Sequence, residues 1–168
     1  GKNNYKFYTH QLSADAIERL ALESALRRAI EHHDFELYYQ PIISLETDKV
    51  IGAEALLRWQ HEKYGWVSPE KFIPIAGETD MIIRGGEWVL EAACAAMSRW
   101  VKAGADLSTI AVNFSGVQLK DAKIVKRILK ILEEAELPSS MLELEITENV
   151  IMHETEVVSA FLGQLRRR

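Results

Sequence analysis

One cysteine, Cys94, and four prolines are all that the 168 residues contain of these two types. A single thiol can form no internal disulfide, which fits a reducing, cytoplasmic compartment. Cysteine pairs at zinc spacing are absent, as are a P-loop and a G-x-G-x-x-G fingerprint. A zinc ribbon, a Walker-type nucleotidase and a dinucleotide-binding Rossmann unit are therefore excluded. No apolar run reaches the roughly 18 residues that a membrane-spanning helix needs, and the first residues show no signal-peptide pattern. This segment is expected to be soluble, with no membrane insertion of its own. A basic field is missing too: 20 Lys+Arg stand against 25 Asp+Glu, a net charge of −5. That balance argues against binding to a nucleic-acid polymer. What is present is a 48% hydrophobic content with 27% charged residues, the composition of one globular domain with a real core.

Residues 1–11 are polar and aromatic without period and read as a tail. Ser13 is a candidate N-cap, with Asp15 in the first turn, for a helix in which Leu22, Leu26, Ala29 and Ile30 form one stripe as far as His33. Phe35 to Leu45 is rich in aromatic and β-branched residues and predicts a strand, broken by Pro41. Thr47 and Asp48 turn the chain into a second strand, Val50 to Trp59, and Gln60 to Ser68 reads as a loop. Pro69 suits the first position of a short helix through Ala76. A long helix is expected from about Gly86 to a stop at Gly104. A third strand, Thr109 to Ser115, is followed by a helix capped by Asp121, lined by Ile124, Ile128, Ile131 and Leu132 and closed by Pro138. Met141 to Thr147 predicts a fourth strand, and Val157 to Leu165 a last helix. Strands alternating with helices predict a parallel α/β sheet.

Side chains two apart along a strand share a face. Each of the last three strands carries an apolar face and a second face with an oxygen ligand in its later half: Glu54, Asn113 and Glu145. A carboxylate in a sheet covered on both sides is costly unless something compensates it. Two carboxylates and an amide match a hard divalent cation such as Mg²⁺ or Mn²⁺, and functional groups gather at the C-terminal ends of strands in α/β folds. Arg58, on the same face as Glu54, could hold a phosphate oxygen. The competing reading pairs each acid with a lysine, an arginine or solvent. Other features are bland: five scattered histidines, Cys94 among alanines, Trp88 and Trp100 at core spacing, and acids at Glu133, Glu134 and Glu136 on a solvated helix end. Arg166 to Arg168 are too few to make a nucleic-acid patch.

Several separated runs are recognisable together. Tyr38-Tyr39-Gln40-Pro41-Ile42 and Gly52-Ala53-Glu54-Ala55-Leu56-Leu57-Arg58-Trp59 lead, followed by Pro69-Glu70-Lys71-Phe72-Ile73-Pro74 and Gly86-Glu87-Trp88-Val89-Leu90. Val112-Asn113-Phe114-Ser115 and Leu144-Glu145-Ile146-Thr147-Glu148 complete the set. In this order they resemble the EAL-domain cyclic-di-GMP phosphodiesterases, whose name is spelled by Glu54-Ala55-Leu56. Two positions depart from the family pattern: Gly77 stands where a glutamate is usual, and Asp80 where a glycine is usual. Residues 1–8 look like the end of a GGDEF (diguanylate cyclase) domain. The resemblance thus divides the chain into residues 1–12, a tail of that preceding domain, and 13–168, the N-terminal part of an EAL domain.

The resemblance implies a TIM-like (β/α) barrel, of which about the first half is expected here. It implies hydrolysis of cyclic-di-GMP to the linear dinucleotide with Mg²⁺ or Mn²⁺, in bacterial second-messenger signalling. Glu54, Asn113 and Glu145 would be the metal ligands, Glu54 and Glu148 the catalytic acids, and Gln40 and Arg58 substrate contacts. The family's following Asp-Asp-Phe-Gly-Thr-Gly run, and its later lysine and glutamate, do not occur before Arg168. The chain by itself is therefore expected to be inactive. A degenerate module that senses cyclic-di-GMP without cutting it is the alternative. Half a barrel exposes an unpaired edge and an uncovered apolar face, which predicts a homodimer.

Overall fold

The computed structural model describes the backbone of residues 10–32 and 34–166, and the side chains of these apart from 10–16 and Asn149. The expected tail lies outside the described residues as far as position 9. Helix α1 (His10–His32) already runs ahead of the expected cap at Ser13. Its core stripe starts only at Leu22, while Ile17 and Leu20 are exposed, so the apolar period marks the buried half of the helix and not its beginning.

Strand β1 (Phe35–Ile43) and β2 (Val50–His61) form an antiparallel hairpin, in one register from Phe35 opposite Trp59 to Ile42 opposite Gly52, with a one-residue shift before Ile43 meets Val50. Asp48 takes the left-handed conformation (φ 53°), and its N–H donates to the Ser44 carbonyl at 2.9 Å to close the turn. Pro41 does not break β1. It lies opposite Ala53 on an edge strand, where a ladder on only one side leaves room for a residue without an N–H. The expected loop after Trp59 is a second hairpin: β3 (Gly65–Val67) returns along the end of β2, pairing Trp59 with Val67 and His61 with Gly65. Three residues are too few to show an alternating pattern.

Ser68 precedes α2 (Pro69–Gly77), with proline in the first turn as expected. The long helix α3 (Met81–Lys102) starts a turn before Gly86 and carries Gly85 and Gly86 inside it. Strand β4 (Thr109–Phe114) runs parallel to β2, and β5 (Leu142–Ile146) parallel to β4. Between them lie α4 (Gly116–Leu119), α5 (Ile124–Glu134) and a 3₁₀ turn at Ser139–Met141. Two helices follow β5, α6 (Glu148–His153) and α7 (Thr155–Leu165), of which only the second has an apolar stripe. The sheet order is β1-β2-β4-β5, with β3 beside β2. The fold is α/β as expected, but its parallel part is β2-β4-β5 and both hairpins are antiparallel.

Helices pack on one face of the sheet. Ala53 and Ala55 of β2 and Ile110, Val112 and Phe114 of β4 meet Leu90, Ala93, Cys94 and Met97 of α3 and the apolar stripe of α5. A second cluster joins Leu26 of α1, Phe72 of α2 and Trp59, which is 1% exposed. Phe35, Trp59 and Phe72 hold one another there with ring centroids 5.7–6.0 Å apart. Gly52 lets β2 approach β4: a Cβ at this position would lie 2.5 Å from the Thr109 carbonyl oxygen. No helix among the described residues is long and apolar enough to cross a membrane.

Candidate functional site

The other face of β2, β4 and β5 carries the polar residues. In register, Asn113 lies opposite Glu145, and Glu54 lies opposite Ala111, one step along the same face from Asn113. The Asn113 Nδ2 donates to Oε1 of Glu54 at 2.7 Å, joining side chains 59 positions apart in the sequence. This leaves the Asn113 carbonyl oxygen, Oδ1, to serve as a ligand atom. Glu54 is the fifth residue of the twelve-residue β2 and so sits in its first half, not the later half as expected. Parallel pairing sets it level with Ala111 in the middle of β4, two residues before Asn113.

Burial raises the Glu145 carboxyl above its ordinary value, and the nearby Glu54 and Glu143 charges raise it further. Among the described residues no lysine or arginine pairs with Glu54 or Glu145. Of the competing reading, the pairing with lysine or arginine is not met for these two, while both remain partly open to solvent. Glu143 differs: it is exposed and accepts a long 3.4 Å contact from Thr109 Oγ1. Among the described residues no three His, Cys, Asp or Glu side chains converge into a site. The donor set is two carboxylates and one amide oxygen, which fits a hard divalent cation through its chemistry and through the mutual repulsion that such a charge would relieve.

Gln40 lies directly opposite Glu54 on β1 and shares its face. Arg58 does so further along β2, with Cζ 5.8 Å from the Tyr38 ring centroid and Nη1 donating to the Leu57 carbonyl at 3.2 Å. No described carboxylate neutralises its guanidinium. Tyr38 meets Trp66 of β3 edge-on at 5.9 Å, and a cavity of about 440 Å³ opens between Tyr38, Arg58, Trp66, Ser68 and Pro69. A second cavity of about 460 Å³ runs from Arg58, Asn113, Ser115 and Thr147 inward between α1, α2 and α3. Glu148 opens α6 just beyond β5, is exposed, and forms no side-chain hydrogen bond or ion pair among the described residues.

The sheet thus brings together Glu54, Asn113 and Glu145 and aligns Gln40 and Arg58 with them, while Glu148 opens the helix that follows β5. Sequence reasoning missed Trp66, hidden in a three-residue strand, and the pair Ser115 and Gln118 at the end of β4. Their S-x-x-Q spacing is a legible capping signal.

The EAL domain family model matches residues 23–168 of the chain. The bifunctional diguanylate cyclase/cyclic di-GMP phosphodiesterase MucR of Pseudomonas aeruginosa is 38% identical over 165 residues, 98% of this chain and 24% of that protein. The cyclic di-GMP phosphodiesterase NbdA of the same organism is 36% identical over 99% of this chain and 21% of its own length. A solved structure of the MucR phosphodiesterase in complex with c-di-GMP is similar with a TM-score of 0.81 and 38% identity, covering 88% of this chain and 60% of that one. The chain spans about a quarter of these curated relatives' length or less. With its motifs in order, its parallel β2-β4-β5 sheet and a matching family model over most of its length, the chain belongs to the EAL domain family.

Proposed function

We propose that the protein carrying this chain hydrolyses cyclic-di-GMP to the linear dinucleotide. The observation that carries this is the Glu54–Asn113–Glu145 row: three oxygen ligands on adjacent strands, with no lysine or arginine among the described residues paired to the two acids. These residues would hold Mg²⁺ or Mn²⁺, which supplies polarisation of a phosphoryl oxygen and acidification of a water. Asn113 fixes the Glu54 carboxylate through its amide. Arg58, without an acidic partner among the described residues and facing the same side, binds a phosphate oxygen of the substrate, and Gln40 hydrogen-bonds to the substrate from β1. Glu148, two residues beyond the end of β5, would support the site from the first turn of α6.

A sensor that binds cyclic-di-GMP without cutting it has no use for uncompensated acids, so the retained row favours hydrolysis. The nucleotide substrate and the lone reduced thiol fit a cytoplasmic setting. The preceding residues 1–12 are proposed to join a GGDEF domain, as the relative MucR combines both activities by name. Turnover of cyclic-di-GMP in Mn²⁺ by the protein containing this chain tests the proposal. Conversion to the linear dinucleotide, lost in Glu54→Ala with the fold intact, is the expected result. Binding without conversion would replace the proposal by the sensor reading.

A further inference from the structure

We propose that Gln118 is a positioning residue that sets the Asn113 side chain through the turn at the end of β4, and that Gly86 is its seat. Gln118 is 4% exposed, one of the few polar side chains so deeply buried among the described residues. Its Oε1 accepts from the Ser115 backbone N–H at 3.0 Å and from the Ser115 hydroxyl at 2.8 Å. The Ser115 Oγ in turn accepts from the Gln118 backbone N–H at 3.3 Å, completing a reciprocal capping box. Ser115 is two residues beyond Asn113, so this box clamps the backbone just where β4 presents its ligand.

A four-residue helix gains little from a cap for its own sake. The other end of Gln118 shows what the arrangement holds. A Cβ built on Gly86 would lie 2.0 Å from Gln118 Nε2 and 2.9 Å from its Cδ. Glycine inside a helix is less stable than alanine, yet only glycine leaves room for the amide here. The helix thus accepts a local cost at the position where the Gln118 side chain rests. Three elements are locked together by this side chain: α3 beneath it, α4 behind it and β4 ahead of it. Asn113, its Nδ2 donating to Glu54, is the functional group that moves if the lock opens. That the moved group is a metal ligand rests on the function proposed above. That Gln118 positions Asn113 does not.

Side-chain amide spectra of the ¹⁵N-labelled chain, read without metal, report the Asn113–Glu54 hydrogen bond. Mn²⁺ titration by electron paramagnetic resonance reports the site, and thermal unfolding reports the fold. Gln118→Ala and Gly86→Ala should both displace the Asn113 amide signals. Each should weaken Mn²⁺ binding about ten- to hundredfold, as loss of a residue supporting a ligand does. Gln118→Glu keeps the accepting oxygen of the box and should restore both. The Gly86→Ala/Gln118→Ala double variant should be no worse than either single one, because the second change removes what the first collides with. A folded Gln118→Ala chain with lower thermal stability but unchanged Asn113 signals would overturn the proposal, as would additive effects in the double variant. Should Gln118→Ala not fold, Gly86→Ala and Ser115→Ala carry the same comparison. Displaced signals, with Mn²⁺ binding that Asn113→Ala leaves unchanged, would uphold the positioning role and reject Asn113 as a metal ligand.

Discussion

Arg58 is held by its own neighbours' backbone and an aromatic ring, not by an acid, so its charge is available to a ligand. Arg58→Ala should weaken cyclic-di-GMP binding by about 1.5–3 kcal/mol, the worth of a hydrogen bond to a charged group. Calorimetry on metal-loaded protein checks this, and unchanged affinity would remove Arg58 from the site. Cys94 is the opposite case. It is fully buried, and burial pushes its thiol up to about 11. A thiol kept neutral in this way contributes stability that is whole below its ordinary value and is lost as pH rises through about 11. Burial also raises the Tyr39 phenol, against the pull of Arg99, so the alkaline loss has two sources. The urea midpoint should therefore fall on going from neutral to strongly alkaline pH, and Cys94→Ala should remove part of that pH dependence. Iodoacetamide should label Cys94 only in the unfolded chain.

At the scale of elements, the β2–β4 pair depends on one missing side chain. Gly52→Ala forces a methyl against the Thr109 carbonyl and its Cγ2, both at 2.5 Å. Neither strand can yield without opening the sheet, so a loss of at least about 1–3 kcal/mol is expected from denaturant unfolding. The strands and their shared face were legible in sequence because period-2 alternation survives wherever one side is buried, as in Ala53-Glu54-Ala55. The start of α3 was not, because Gly85-Gly86 reads as a break when the reason for glycine is a side chain from another element. Nor were β3, too short for a period, or α6, which lies exposed at Ile151 and Met152 and shows no apolar stripe. Glu54, Asn113 and Glu145 could be named from alternation and from the family motifs. The hydrogen bond from Asn113 to Glu54, and the place of Glu145 beside them, needed the register of three strands.

For the whole molecule, the described sheet is open, with β1 and β5 as its edges. Apolar side chains also stand out at the β1–β2 turn, where Leu45 is 97% exposed beside Ile43 and Val50. Unpaired edges and exposed apolar groups favour association, most simply across a two-fold axis. Sedimentation at low micromolar concentration should show the isolated chain as a dimer, and a stable monomer would reject this. Because no three carboxylate, imidazole or thiol groups converge among its described residues, that chain by itself should also yield no linear dinucleotide in Mn²⁺. Product in a chromatographic assay would show the three-residue row to be sufficient.

The β1–β2 hairpin has a consequence in time as well as in space. Its pairs run inward to Ile43 and Val50, so its contacts are close in sequence, and such hairpins form within about 1–10 μs. Pairing Gly52 with Thr109 instead requires closing a long loop that contains α2 and α3, and the entropy of that closure comes before any contact repays it. Gln40 and Glu54 should then be placed opposite each other early, with Asn113 and Glu145 arriving on strands added afterwards. Slowing the hairpin, for instance by replacing the turn around Asp48, should delay refolding more than it accelerates unfolding. The ligand row would be assembled from one side, in the order in which its residues occur along the chain.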